Sequence, residues 1–226
     1  MSTPRPPSIE DFQQFFESRV RHLGNRQELI WISNTIPVDA LAASYPLGIF
    51  PWPGDDPHFF PWVTPRQRGI LRLDNFHLGQ STRRHLRKSG YRVTFDQAFS
   101  KVILACHHAH EPESWIHPLM REAYVTAHHR GFAHSVEVWN GDDLAGGLYG
   151  IDSGTFFSGE SMFHLIPNAG KAAIQYLVER LRQRGDTFLD IQQLSPHMRA
   201  MGAECVTRSA FQALVHDSVS RQGNRE

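Results

Sequence analysis

Cysteine is scarce in this sequence: Cys106 and Cys205 are the two that a chain of 226 residues contains. So few cysteines provide no disulfide framework and are typical of a reducing compartment, so we expect the protein in the cytoplasm. Long apolar runs are also missing. No window approaches the roughly 18 uninterrupted apolar residues that a membrane helix requires, and the first residues lack an apolar segment of signal-peptide length. We therefore expect no membrane partner.

The sequence has no excess of charge of either sign, because Lys+Arg and Asp+Glu both number 23. An anionic partner must therefore be bound by a local patch rather than by the overall field. The patterns Gly-x-x-x-x-Gly-Lys-Ser/Thr and Gly-x-Gly-x-x-Gly are missing, which argues against ATP and dinucleotides. The histidine groups at 107–110 and 128–134 lack the paired ligand spacing of a zinc motif. We expect neither a metal nor a cofactor.

Residues 45–66 are rich in proline and aromatic residues. Because proline interrupts helices, this segment is predicted to be irregular. Apolar residues at helical spacing predict a helix over 9–23 before it. We place a domain boundary at the end of the aromatic segment. The prediction is a small N-terminal domain over 1–66 and a larger catalytic domain over 67–226.

The larger domain begins with two predicted helices and a run of strands. Asp96 is expected to cap the first helix, and Pro118 to open a second one that stops before Gly131. Asn140-Gly141 predicts a hairpin that joins HSVEVW to DLAGGLYGI, and TFFSGESMF is expected to follow as a third strand.

A helix and a strand are predicted toward the C-terminus. An apolar stripe over 173–181 indicates a helix ended by Gly185, and FLDIQQ after it is typical of a strand. Ser195-Pro196 predicts the start of a short helix that ends at Gly202. Helices, an antiparallel strand run, a helix and a strand make an α+β fold rather than a regular βαβ winding.

A basic stretch is the first candidate for binding. Its cationic residues are Arg83, Arg84, Arg87, Lys88 and Arg92, and no acid occurs between Asn75 and Phe95. Clustered guanidinium groups gain affinity for phosphates by counterion release, so this stretch is a candidate nucleic-acid contact. An ordinary solvated helix face would have the same composition.

The aromatic segment is the second candidate, because bases stack on exposed rings. The alternative is that its rings fix a Pro-rich segment on the core.

Two strand motifs are the third candidate for a functional site. Glu160 lies among aromatic residues in FFSGESMF, and Asp190 and Gln192 are two apart in DIQQ, so their side chains share a face of a strand. A structural network of buried polar groups would explain the same pair.

The blocks YPLGIFPW, HSVEVW, GGLYG, FFSGESMF and DIQ occur in the order and spacing of one protein family. With them the chain resembles the leucyl/phenylalanyl-tRNA-protein transferases. The resemblance implies a small N-terminal domain and an acetyltransferase-like mixed sheet domain. It also implies an enzyme that transfers Leu or Phe, in some members Met, from aminoacyl-tRNA to proteins that begin with Arg or Lys and so marks them for degradation.

The resemblance further implies roles for individual residues. It makes Glu160, Asp190 and Gln192 the catalytic and amine-positioning group, and the basic stretch at 83–88 the contact with the acceptor stem of tRNA. The implied substrate-binding residues are Tyr45, Trp52, Trp115, Tyr124, Leu148, Phe157, Met162, Ile174, Leu177 and Leu181. In this set the two tryptophans hold the terminal adenosine, and the apolar members receive the transferred side chain. The sequence departs from the family pattern at His117-Pro118 and at His164.

An aminoacyl ester is already activated, so its transfer to an α-amine requires no ATP. We expect Asp190 to polarise the carboxamide of Gln192, whose oxygen then accepts a hydrogen bond from the attacking nitrogen. Two other functions stay open: a noncatalytic protein that binds tRNA or RNA ends, and an acyltransferase with a different donor or acceptor. An enzyme requires the acid and amide to share a cavity with Trp52. The sequence does not give the oligomeric state, and a monomer is favoured.

Overall fold

We describe the protein from a computed structural model, which covers residues 5–24, 27–52, 56 and 58–223. The helices are α1 (Ile9–Arg21), α2 (Val38–Ser44), α3 (Gln80–Ser89), α4 (Phe99–Ala109), α5 (Pro118–His129), α6 (Ala169–Arg184), α7 (Pro196–Arg199) and α8 (Arg208–Gly223). The strands are β1 (Leu29–Ser33), β2 (Phe50–Pro51), β3 (Phe60–Val63), β4 (Gln67–Arg72), β5 (Arg92–Phe95), β6 (Ala133–Asn140), β7 (Asp143–Asp152), β8 (Phe157–His164), β9 (Phe188–Gln192) and β10 (Glu204–Thr207).

These strands form two sheets. The smaller sheet has the order β1-β3-β2, and the larger, seven-stranded sheet has the order β10-β4-β9-β8-β7-β6-β5. Neighbouring strands are antiparallel except β8 and β9, which run parallel. The mixed α+β class expected from the sequence is confirmed.

The chain passes from the small sheet to the large one between Val63 and Gln67, beside the domain boundary predicted at residue 66. One apolar core nevertheless joins both parts, since Phe16 and Trp62 belong to the same cluster as Val102 of α4 and Tyr124 of α5. The division into two domains therefore stays a prediction.

The large sheet is covered on both faces. On one face, which we call the α4–α5 face, β7 and β8 pack against α4, and Tyr149 and Phe163 join the core of α4 and α5. On the opposite α6 face, Leu148 and Phe157 pack against the apolar stripe of α6. Because side chains of a strand alternate between faces, neighbouring residues of β8 face these two different environments.

Local sequence signals predicted several of these elements correctly. The helix α5 begins at Pro118, α6 is followed by Gly185 in a left-handed conformation, and Ser195 caps α7 through the backbone N–H of Met198. The β6–β7 hairpin turns immediately after Asn140, as predicted. These features depend on turn and cap chemistry within a few residues, which explains why the sequence contains them.

Two local predictions were wrong. The aromatic segment is not wholly irregular, because β2 and β3 pair within it. Asp96 does not cap α4: its carboxylate accepts hydrogen bonds from the backbone N–H of Ser135 and from His134. The buried carboxylate of Glu137 instead accepts the backbone N–H groups of residues 97 and 98, just before α4. A distant acid on β6 thus replaces the local cap.

Both cysteines are free, Cys106 in the core and Cys205 at the surface. Among the described helices, none has the length and apolar character needed to cross a bilayer.

Candidate active site

The candidate site lies where the parallel strands β8 and β9 stop pairing. In the described part of the chain, these strands pair at two positions, Phe157 with Leu189 and Ser158 with Asp190. Just beyond these pairs, β8 forms a bulge against β7, because Tyr149 faces Ser161 while the next residue already faces Gly159. Glu160 is the extra residue of this bulge. A bulge re-aims a side chain, and here it directs Glu160 out of the regular ladder.

A cleft of about 260 Å³ opens at this point. The side chains that line it are Phe50, Pro51, Trp52, Trp115, Glu160, Ile191, Gln192 and Gln193. Glu160 and Gln192 therefore share a cavity with both tryptophans that the resemblance implicated. Asp190 is not among the lining residues, because its side chain is fully buried.

Three neutral donors hold the carboxylate of Glu160. Its Oε1 accepts the Tyr45 hydroxyl at 2.8 Å and the Gln192 carboxamide Nε2 at 2.6 Å, and its Oε2 accepts the Tyr124 hydroxyl at 2.9 Å. The two tyrosine hydroxyls also lie 2.7 Å apart. Burial raises the pKa of both tyrosines well above the usual value, so they remain protonated donors.

The pKa of Glu160 is raised to about 7, chiefly because burial disfavours the charged form. The hydrogen bonds from Tyr45, Tyr124 and Gln192 act in the opposite direction, and the charge of Asp190 raises the pKa slightly further. A carboxyl group that titrates near neutral pH can both accept and return a proton under physiological conditions. This is the property required of a general base or acid.

Asp190 has a different environment, in which a cation neutralises it. Arg68 of β4 donates through Nε to Oδ1 at 2.8 Å and through Nη2 to Oδ2 at 2.6 Å, and the Ser158 hydroxyl donates to Oδ2 at 2.7 Å. The Arg68 guanidinium lies between two rings, 4.4 Å from the centroid of Phe50 and 4.7 Å from that of Phe211. Bidentate pairing and ring stacking are the contacts that suit a buried arginine.

Gln192 connects the two acids. Its backbone N–H donates to Asp190 Oδ1 at 3.0 Å, and its backbone has a left-handed φ of 55° at the end of β9. Gly69 makes room for this bend, because a β-carbon there would lie 2.8 Å from the backbone of Gln193 and Leu194. We expected Asp190 to contact the carboxamide of Gln192. The structure differs: Asp190 holds the backbone, and Glu160 holds the carboxamide.

The aromatic residues reach the site from three elements. Tyr45 begins a short 3₁₀ turn over 45–47, which Gly48 closes in a left-handed conformation with φ 71°. Trp52 is fixed by its backbone N–H, which donates to Pro61 O at 2.7 Å in the small sheet. Tyr124 comes from the buried face of α5. The motif YPLGIFPW thus supplies Tyr45, which donates a hydrogen bond to Glu160, and Trp52, which lines the cleft.

The predicted apolar pocket lies on the α6 face and not in this cleft. Its buried members, packed in the core between the sheet and α6, are Leu148, Phe157, Ile174, Leu177 and Leu181. Met162 packs at the edge of the same core and lines a separate cavity. Phe157 and Glu160 belong to the same strand. Phe157 faces this core, whereas Tyr45 and Tyr124, the partners of Glu160, belong to the core on the opposite face of the sheet.

The basic residues of α3 are at a different place. The exposed residues among the predicted tRNA contacts are Arg83, Arg84, Arg87 and Lys88. Arg83 and Arg87 line a groove of about 410 Å³ between α3 and α6. They form a basic surface that does not border the cleft.

Sequence reasoning missed Arg68, Ser158 and Tyr149. Arg68 lies in a stretch that contains other, exposed arginines, and nothing local marks it as the partner of an acid 122 positions later. Ser158 lies within FFSGESMF, beside the residue that was singled out. Tyr149 is buried beside Tyr124 at a ring distance of 5.6 Å, and within the described residues its hydroxyl has no hydrogen-bond partner.

A group that could hold a metal ion lies at the end of α4. Its members are His107, His108 and Glu111, whose potential ligand atoms lie within 4.8 Å of one another. They already pair with one another and with Ser114 at the surface. The group does not line the cleft that contains Glu160.

A carboxyl group with a pKa near neutrality, beside a carboxamide in a cleft lined by aromatic residues, is able to accept a proton and to orient a polar group. The sequence profile described as leucyl/phenylalanyl-tRNA protein transferase matches residues 70–216. The chain belongs to this family.

Curated relatives agree with the profile. The chain is similar to a leucyl/phenylalanyl-tRNA–protein transferase of Maridesulfovibrio salexigens, 41% identical over 87% of this chain and 83% of the relative. A protein of the same name from Pseudoalteromonas translucida is 42% identical over 83% of this chain and 79% of the relative. Among solved structures, FemX is similar with a TM-score of 0.47 and 13% identity, over 75% of this chain and 66% of that one.

Proposed function

We propose that the protein transfers Leu or Phe from aminoacyl-tRNA to the N-terminal α-amine of proteins that begin with Arg or Lys. The observation that carries the proposal is the cleft, in which Glu160 and Gln192 lie together with Trp52 and Trp115. Family membership supports the donor. The role of the reaction in protein degradation and its place in the cytoplasm are part of the same proposal.

The amine is held by the two polar groups of the cleft. Gln192 uses its carboxamide nitrogen as a donor to Glu160, so its oxygen is the end available to accept a hydrogen bond from the amine. Free α-amines have a pKa of about 8, so a minority is neutral at pH 7 and needs chiefly to be oriented. Orientation of that nitrogen toward the ester carbonyl is the main contribution of Gln192.

Glu160 acts as the proton acceptor. Oε1 already accepts two hydrogen bonds, whereas Oε2 accepts one, from Tyr124, which leaves a lone pair on Oε2 for the substrate. With a pKa of about 7, the carboxylate form is well populated at neutral pH and can take the proton that the amine loses. As the C–N bond forms and the ester C–O bond breaks, Glu160 returns this proton to the departing 3′-oxygen of the adenosine, so that the tRNA leaves with a free hydroxyl group. Its negative charge also favours an incoming N-terminal Arg or Lys side chain.

The donor is held by rings and by the core below the sheet. In this proposal Trp52 and Trp115 stack on the terminal adenosine, a contact worth about 1–3 kcal/mol per base. The transferred side chain passes between the unpaired ends of β8 and β9 toward the apolar residues of the α6 face. Phe157 and Met162 are the members of this set on β8, three residues before and two residues after Glu160. The exposed basic residues of α3 hold the acceptor stem.

The proposal includes an acetyltransferase-like arrangement for the large sheet and α6. Its support is the parallel pair β8 and β9, which separates beside a β-bulge and leaves a cleft at the centre of the sheet. The substrate is bound in that gap. Asp190 and Arg68 hold the end of β9 beneath it.

The test is a transfer assay with radiolabelled Leu-tRNA or Phe-tRNA and peptides that begin with Arg, Lys, Asp or Ala. Label should enter the N-terminus of the Arg and Lys peptides and not that of the Asp and Ala peptides. Met-tRNA in a parallel reaction determines whether the pocket accepts a third side chain. Binding of these tRNAs without label in any peptide would identify a noncatalytic RNA-binding protein and reject the proposal.

A further inference from the structure

A second cavity, of about 570 Å³, lies where β8 ends and α6 begins. Three basic side chains line it: His164 from β8, Lys171 from the first turn of α6, and His197 from α7. Apolar atoms of Met162 and Ile166 line the same cavity. The proposed catalytic machinery uses none of the three basic groups.

Among the described residues that line the cavity, the ionisable ones are all basic. None of the residues that line it is acidic, and the first turn of α6 contains no acid. The pKa of His197 is lowered by burial and by the charges of Lys171 and His164, so the three groups are close enough to repel one another when protonated. An anion in this cavity is attracted by the Lys171 ammonium group and can accept hydrogen bonds from the two imidazole rings.

The cavity adjoins the α3 groove, and along β8 it begins two residues from the cleft. Toward α3, the Tyr91 hydroxyl donates to Pro167 O at 3.1 Å, and the groove of Arg83 and Arg87 continues along α6 from Ala172. Toward the cleft, Met162 lines this cavity two residues after Glu160 on β8. A single strand that runs from the basic residues of α3 to the cleft would therefore pass over Lys171.

We propose that this cavity binds a backbone phosphate of the single-stranded 3′ end of tRNA, one of the nucleotides just before the terminal adenosine. Lys171 pairs with the phosphate, and His164 and His197 donate hydrogen bonds to it. The inference rests on the proposed function for the identity of the donor, and it adds a phosphate site between the α3 residues and the cleft.

The apolar side of the cavity is consistent with this occupant. Leu165 also lines the cavity. Its side chain is 71% exposed, the highest value among the described large apolar residues. A nucleotide presents a flat apolar base next to an anionic phosphate, and the cavity presents aliphatic side chains next to cations. A free inorganic anion would contact only the basic side chains and would leave the aliphatic ones uncovered.

The experiment measures the affinity for uncharged tRNA as a function of salt concentration. Lys171→Gln should weaken binding about tenfold and reduce the slope of log K against log salt by about 0.7, the value for one single-strand phosphate contact. The double variant His164→Ala and His197→Ala should also weaken binding, because it removes both imidazole donors from the cavity. Lys101→Gln, which changes an exposed lysine of α4, is the matched control and should leave affinity and slope unchanged.

Two further measurements separate this site from a structural role. The KM for Phe-tRNA should rise in Lys171→Gln with little change in kcat, whereas Phe-adenosine, a donor without phosphate, should lose much less. Equal losses with both donors, or an unaltered salt slope, would overturn the proposal. Binding of coenzyme A that depends on Lys171, in place of tRNA, would also overturn it. Failure of the wild-type protein to transfer any amino acid would reject the proposed function. The tRNA-binding assay would still decide whether this cavity is a phosphate site.

Discussion

Glu160 and Asp190 are acids on neighbouring strands of one sheet, with opposite surroundings. Asp190 is fully buried and meets a guanidinium, a hydroxyl and a backbone N–H. Glu160 meets three neutral donors and borders a cleft, and in the described part of the chain no cation pairs with it. Their pairing, more than their burial, distinguishes the two acids.

Because of this difference, we expect the two acids to have different roles. A carboxylate that pairs with a buried arginine holds the backbone around it in place. A carboxyl group held by neutral donors keeps an affinity for protons in the neutral range, which is useful for proton transfer. We therefore assign the chemistry to Glu160 and Gln192, and the positioning of Gln192 to Asp190 and Arg68.

The largest expected effect comes from removing the cation of the structural acid. Arg68→Ala leaves Asp190 buried without a partner, and the free energy of unfolding should fall by about 3–5 kcal/mol. Chemical denaturation measures it. Arg72→Ala is the matched control on the same strand, because its pair with Glu204 is exposed and should cost less than about 1 kcal/mol. Similar losses in both variants would remove the distinction between a buried and a surface pair here.

The second effect concerns the amide between the acids. Gln192→Ala removes the group that orients the amine, so the transfer rate at saturating Phe-tRNA should fall about 100-fold. The affinity for Phe-tRNA should change little, because the tryptophans and the basic surfaces remain. Gln67→Ala, at an exposed position of β4, serves as the control. An unchanged rate in Gln192→Ala would show that the amine is oriented by other groups.

The third effect is a pH dependence of stability. The pKa of Glu160 in the folded protein is about 7, above the ordinary 4.5, so the folded state binds the proton more tightly than the unfolded state. The stabilisation from the protonated form is present below pH 4.5 and is lost as the pH rises to about 7.

Glu160→Gln removes this dependence. Relative to the variant, the wild type should lose stability on the order of 2 kcal/mol between these pH values, since one unit of pKa corresponds to about 1.4 kcal/mol and the side chain is partly exposed. Parallel denaturation curves at each pH measure the difference. A constant difference across the whole pH range would mean that Glu160 has an ordinary pKa.

The smallest effect comes from single hydroxyl groups. The hydrogen bond from Tyr45 lowers the pKa of Glu160, so Tyr45→Phe should move the acidic limb of the pH–rate profile to higher pH. Tyr124→Phe should act in the same direction. Tyr149→Phe is the control, because its hydroxyl has no partner among the described residues and its loss should be neutral or slightly stabilising. Equal shifts in the three variants would exclude a specific role for the hydrogen bonds.

The sequence predicted what depends on nearby residues. The β6–β7 hairpin follows from Asn140-Gly141 and the start of α5 from Pro118. The family resemblance drew attention to Glu160, Trp52 and Trp115, which the structure places in one cleft.

The remaining features depend on contacts between distant segments. Arg68 and Asp190 are 122 positions apart, and no local pattern distinguishes this arginine from its exposed neighbours. The choice of Glu160 rather than Asp190 as partner of the Gln192 carboxamide depends on a bulge in β8 and a left-handed residue in β9. Both distortions are consequences of strand register, which a sequence pattern cannot specify by itself.

The most direct test of the assignment is the single-turnover rate of Phe transfer from Phe-tRNA to an Arg-initiated peptide by Glu160→Gln. The substitution keeps the size of the side chain and removes the proton acceptor. We predict a fall of at least about 100-fold, with unchanged binding of Phe-tRNA. A rate equal to that of the wild-type protein would contradict the central role of Glu160.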